Sequence, residues 1–122
     1  MDQTLLINKK ARFFYEILAT YHAGIVLRGH EVKALKSRHG NITGGYIVIR
    51  GGNAYLLNMH ISPYQPNNTS PDYNPTRDRR LLLTKDEIKI LAGKIHKTGL
   101  TILPLQVYTK NRLVKIVIGL GK

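Results

Sequence analysis

Hydrophobic and polar positions in this 122-residue chain alternate with a period of two over several stretches and recur at three and four in two others. Residues 15–27 are dense in aromatic and branched side chains, which favours a strand that bends or bulges near Gly24, with helix as the competing reading. Residues 30–37 set Val32, Leu35 and Lys36 at helical spacing between Gly29 and Gly40, and so predict a short helix closing one end of a barrel. Residues 46–50 and 54–59 are β-prone, and Gly51-Gly52-Asn53 between them tolerates the positive φ of a tight hairpin. Residues 65–80 hold Pro66, Pro71 and Pro75 among asparagines with almost no apolar side chain, which predicts a long mobile loop.

Thr84 and Glu87 have the spacing of a capping box, and Ile88, Leu91, Ala92 and Ile95 follow as a helical stripe that Gly99 ends. Residues 101–109 and 113–120 flank Lys110-Asn111-Arg112 as a second hairpin, with Val114, Ile116, Ile118 and Leu120 on one face. The expected fold is a single domain over 1–122, mainly β. It is an OB-like antiparallel β-barrel of about six strands with two or three short helices, closed or partly open. A split α+β sandwich is the alternative.

Composition adds a partner to this outline. The chain carries 19 Lys+Arg against 7 Asp+Glu, a formal charge of +12, spread as +5 over residues 1–64 and +7 over residues 65–122. The folded body itself is therefore basic, and nucleic acid is the commonest partner of such a body. An anionic membrane would call for a basic amphipathic helix with bulky aromatics on its apolar face, and the sequence has none, so no membrane partner is expected. The sequence has no cysteine, which excludes disulfides, thiolate nucleophiles and Cys-based zinc sites. The first ten residues place apolar before basic side chains, the reverse of a secretory signal, so a cytoplasmic monomer is expected.

The side chains capable of chemistry favour binding over catalysis. The five histidines, His22, His30, His39, His60 and His96, never fall at metal-binding spacing, and the glycines form no phosphate-cradling loop. No cofactor or metal is expected, and no enzyme. Lys9, Lys10 and Arg12, with Arg77, Arg79 and Arg80, are candidate phosphate contacts, a solvated face being the bland alternative. Tyr64 and Tyr73 are candidates for stacking on bases, whereas Tyr15, Tyr46, Tyr55 and Tyr108 are expected to pack in strands. Glu31, an acid among Arg28, Lys33, Lys36 and Arg38, has two open readings. It stabilises a helix first turn or a local ion pair, or it accepts hydrogen bonds from a base edge.

Several blocks occur in order along the chain: Asn8-Lys9-Lys10-Ala11, Ala23-Gly24-Ile25-Val26-Leu27-x-Gly29-x-Glu31-Val32-Lys33-x-Leu35, His60-Ile61-Ser62-Pro63-Tyr64, Asn74-Pro75-x-Arg77-x-Arg79, Leu81-Leu82-Leu83-x-Lys85, and Gly99-Leu100-Thr101-Ile102-x-Pro104-Leu105-x-x-Tyr108-x-Lys110-Asn111. Together they resemble the small protein B family of SsrA-binding proteins over nearly the whole chain. The resemblance implies an OB-like barrel that grips the tRNA-like domain of transfer-messenger RNA. It also implies delivery of that RNA to stalled ribosomes, with elongation factor Tu and alanyl-tRNA synthetase as indirect partners and no catalysis. It draws Asn8 and Lys9, the segment Gly29, Glu31, Val32 and Lys33, and also Leu91, toward RNA. His60, Tyr64, Lys94 and Lys110 complete the expected RNA-binding set. Leu91 conflicts with the helical stripe, which buries it, and a supporting role behind the surface reconciles the two.

Two departures stand out. The family typically has His and an acidic residue before the position of Tyr15, where this chain has Phe13-Phe14. The family also continues past the position of Lys122 into a basic tail, absent here, so this form is expected to bind its RNA without supporting peptide tagging. The rival reading is a general OB-fold ribosomal or single-stranded nucleic-acid-binding protein.

Overall fold

The two hairpins are set by their turns. Gly51 and Gly52 take φ of 56° and 76°, and Asn111 and Arg112 take 51° and 71°, the left-handed pairs that match the twist of the strands they join. In the computed structural model, which describes residues 2–97 and 99–122, the chain runs β1 (Gln3–Ile7), α1 (Lys9–Phe14), β2 (Ile17–Ile25), α2 (Gly29–Lys36), β3 (Gly40–Asn41), β4 (Tyr46–Arg50) and β5 (Asn53–Leu57). It continues through β6 (His60–Ile61), a 3-10 turn (Pro66–Asn68), β7 (Arg79–Leu82), α3 (Lys85–Ile95), β8 (Thr101–Lys110) and β9 (Leu113–Gly121). Seven strands form one antiparallel sheet in the order β1-β8-β9-β2-β7-β5-β4, and β3 pairs with β6 apart from it.

The fold is mainly β and OB-like, with seven main strands where about six are expected. The sheet curls until β4 lies against β8, yet no ladder joins the two among the described residues. Inside the curl, Val114, Ile116, Ile118 and Leu120 of β9 are all buried, as their alternation requires, and meet Ile25, Leu56 and Leu81 in the main core. A bulge between Pro104 and Gln106 changes the phase of β8. Val107 therefore enters the main core while Leu103 and Leu105 turn outward to bury Ala11 of α1. The bend expected near Gly24 is where β2 leaves β9 and passes to β7. There the missing Cβ leaves room for Leu82, which a methyl would meet at 3.3 Å.

Several details differ from the sequence expectation. The stretch before residue 15, for which the sequence pattern predicts no element, forms β1 and α1. Residues 65–80 do not all belong to a loop, because Arg79 and Arg80 already pair with Leu56 and Tyr55 of β5. The helix expected to run to Gly99 ends at Ile95, and Gly99 serves its turn with φ of +82°.

Candidate nucleic-acid interface

Helix α2 is organised by its acidic residue. Arg28 is extended at the N-cap, and its amide donates to Glu31 Oε1 at 2.8 Å, one half of a capping box, while Ala34 and Leu35 face the core. This places the Glu31 carboxylate inward, where it is 0% exposed. Of the two readings of Glu31, the structure shows the ion pair.

That pair is a network. Arg77 closes on both carboxylate oxygens, through Nη2 to Oε1 and Nε to Oε2. Arg79, also 0% exposed, donates to Oε2 from Nη2 at 2.7 Å and from Nε at 3.1 Å. Its remaining donors reach the carbonyls of Met59 (2.7 Å), Arg77 (3.0 Å) and Pro75 (3.0 Å). The Tyr73 hydroxyl accepts from Arg79 at 3.2 Å, and its single proton is shared between Glu31 Oε2 (3.0 Å) and the Ile61 carbonyl (2.9 Å). The His30 ring stands edge-on to Tyr73 with centroids 4.7 Å apart. Burial alone pushes the Glu31 carboxyl up. Hydrogen bonds from Arg77, from the Arg28 amide and from Arg79, with the Arg79 charge, more than offset that and bring it to about 2. Burial, then the Glu31 charge, pushes the Tyr73 phenol up.

The cluster corrects three expectations. Arg79 is a buried hub joining α2, Met59 between β5 and β6, and residues 73–77, and no phosphate reaches it in this arrangement. Tyr73 is held within the cluster instead of offering a free stacking face. Glu31 has its lone pairs taken by six hydrogen bonds from Arg28, Tyr73, Arg77 and Arg79, so reading a base directly requires breaking them. Sequence reasoning named Glu31 and an ion pair, but it missed the partners, which lie 46 and 48 residues away.

The second group sits on α1. Asn8 is the N-cap: its Oδ1 accepts from the Ala11 amide at 3.2 Å, and its Nδ2 donates to the Pro104 carbonyl at 2.9 Å. Asn8 is thus 5% exposed and fastens α1 to β8, a correction to its expected RNA contact, while Lys9, Lys10 and Arg12 stand exposed around it. Between α1, the turn before β4 and the start of β8 lies a groove of about 460 Å³, with Phe14, Tyr15 and Tyr46 along it. Tyr15 and Tyr46 are 38% and 41% exposed, against the expectation that they pack in strands.

The rest of the expected set divides by burial. Gly29 and Lys33 on α2, His60 on β6, Tyr64, Arg80 and Lys110 are exposed. Val32 and Lys94 are half-buried, and Arg77 keeps 22% of its side chain in solvent. Leu91 is 0% exposed and packs from α3 into the main core, which corrects any direct contact from it. Among the described residues only Arg50, Arg77 and Arg79 are in salt bridges, so the other cations are without a carboxylate partner. No helix among the described residues is long and apolar enough to cross a membrane.

Comparison with known proteins matches this geometry. A family profile described as SmpB protein matches residues 5–122. The SsrA-binding protein of Thermosynechococcus vestitus is 49% identical over 115 residues, covering 94% of this chain and 76% of the relative. That of Nostoc punctiforme is 46% identical, covering 94% and 74%. A chain solved in work on tmRNA-SmpB at the centre of the bacterial ribosome superposes with a TM-score of 0.79 at 42% identity, covering 96% of this chain and 82% of that one.

Proposed function

Because the chain belongs to the SmpB protein family, we propose that it is an RNA-binding adaptor of trans-translation, which binds the tRNA-like domain of transfer-messenger RNA and helps deliver it to stalled ribosomes. The observation that carries this reading is the family match across 5–122 on a body of charge +12. The protein acts by holding and carrying, without catalysis, in the cytoplasm. Elongation factor Tu and alanyl-tRNA synthetase enter only through the RNA they share. Phosphates meet the exposed cations Lys9, Lys10, Arg12, Lys33, Arg80 and Lys110, with Arg77 and Lys94 at the edge. His60, Tyr64 and the α2 backbone at Gly29 and Val32 meet the RNA between them. Asn8, Glu31, Arg79 and Leu91 act from behind, holding the elements that carry those contacts.

A competition experiment at fixed ionic strength tests this. The protein is expected to prefer the folded tRNA-like domain over a single strand of equal length and charge. Equal affinity for both would reduce it to a general basic OB module.

A further inference from the structure

The groove beside α1 is not used by the Glu31 cluster. Its floor is Thr101 and Leu103 of β8 with Ala11, its far wall is Thr43, Gly44 and Gly45, and its mouth holds Phe14, Tyr15 and Tyr46. Three features define its chemistry. Its aromatic rings are exposed, Phe14 at 69%, and Phe13 packs edge-on against Phe14 at 5.0 Å between centroids, bracing that ring. No acidic side chain lines it, Lys10 does, and Lys10 makes no salt bridge among the described residues. Gly44 and Gly45 keep the wall low, and Gly45 is closely packed, since a Cβ there would meet the Ile42 carbonyl at 3.0 Å.

The geometry points to a site for one unstacked nucleobase of a single-stranded RNA segment, held against Phe14 and Tyr46 with its phosphate beside Lys10. A base offers a flat face to aromatic rings whatever its identity, so the site discriminates by strandedness and not by sequence. A folded duplex keeps its bases stacked within the helix and cannot offer one to the groove. The inference takes its ligand class from the RNA-binding reading above and shares Lys10 with that surface, but it adds the aromatic side chains of the groove and takes a different form of RNA.

The test uses a short unstructured RNA carrying one 2-aminopurine, whose fluorescence falls when it stacks, and in parallel the folded tRNA-like domain. The intact chain is expected to quench the probe on binding. Phe14→Ala and Tyr46→Ala, both at exposed positions, are each expected to weaken oligonucleotide binding by about 5- to 150-fold, while Phe14→Trp keeps it. Circular dichroism of each variant controls for folding. Affinity for the tRNA-like domain is expected to stay within about twofold in all three variants. No quenching by the intact chain, or no loss in either alanine variant, overturns the groove as a base site. Equal loss on both RNAs also overturns it, because the groove would then belong to the surface already proposed. Failure of the intact chain to bind the tRNA-like domain, with oligonucleotide binding kept, overturns the adaptor reading and leaves this site supported.

Discussion

Glu31 is surrounded by more positive charge than it carries, and its cluster retains a net charge of one cation that only Arg77 brings toward solvent. Removing either partner strands the other in a dry place. Arg79→Met leaves the Met59 and Pro75 carbonyls without their donor and Glu31 with Arg77 as its one remaining cation. It is expected to cost about 3–5 kcal/mol, read as a lower denaturant midpoint. The pH dependence follows from the same contacts. Glu31 is depressed from 4.5 in the open chain to about 2 in the fold, so its stabilisation is fully present above about 4.5 and is lost as pH falls toward 2. Across that window the intact chain should lose up to roughly 3 kcal/mol through this group. Glu31→Gln should start lower and fall less, and parallel acid titrations of the two chains would contradict the assignment. Any loss of RNA affinity in Glu31→Gln then reports a loosened 73–79 segment, which faster amide exchange in that segment alone would reveal. The sequence exposed Glu31 as an acid out of place among bases. It did not expose the partners, because an ion pair formed across nearly fifty residues depends on tertiary folding and leaves no local pattern.

At the scale of elements, legibility followed periodicity and turn chemistry. The first hairpin was readable because Gly51 and Gly52 accept positive φ, the second because Val114, Ile116, Ile118 and Leu120 alternate, and α3 because its cap and stripe agree, with Thr84 Oγ1 accepting from the Glu87 amide at 3.1 Å. The β1–α1 corner was not readable. Its helix has six residues and buries only Ala11, too little to print a period, and it is held by a bond from Asn8 to Pro104, 96 residues on. The two-residue strands β3 and β6 are likewise below any sequence signal. Because α1 depends so heavily on its cap, Asn8→Ala is expected to destabilise the chain by about 0.5–2 kcal/mol. It should also increase amide exchange in α1 before the rest of the sheet; a uniform change throughout the molecule would show that α1 is secured by something else. The turn leading into β4 is tightly fitted in a different way. A methyl on Gly45 meets two backbone oxygens, those of Ile42 and Leu57, which cannot swing aside as a side chain does. Gly45→Ala should therefore cost about 1–3 kcal/mol, measured by thermal unfolding. By contrast Gly51 and Gly52 have open space around them, and substitution there strains only φ.

Taken whole, the molecule separates three cations that the sequence had grouped together. Arg77, Arg79 and Arg80 are near neighbours in the chain, yet the first is a partly exposed clamp, the second a buried hub and the third a free surface charge. Side-chain direction divides them, since Arg79 faces inward on β7 while Arg80 faces outward. Salt dependence makes that division measurable. Each phosphate neutralised by an exposed cation releases condensed counterions, so log affinity falls with log salt by about 0.7–0.9 per contact. Lys9→Ala and Arg80→Ala should each weaken binding of the tRNA-like domain and flatten this slope by about that amount. Arg79→Gln removes the same formal charge from the interior. Among its folded molecules the slope should be unchanged, even though fewer of them are folded. If Arg79→Gln flattened the slope as Lys9→Ala does, Arg79 would have to reach phosphate in the complex. The Glu31 cluster would then open when RNA binds, and its pairing in the free protein would be a latch on the binding surface instead of its permanent support.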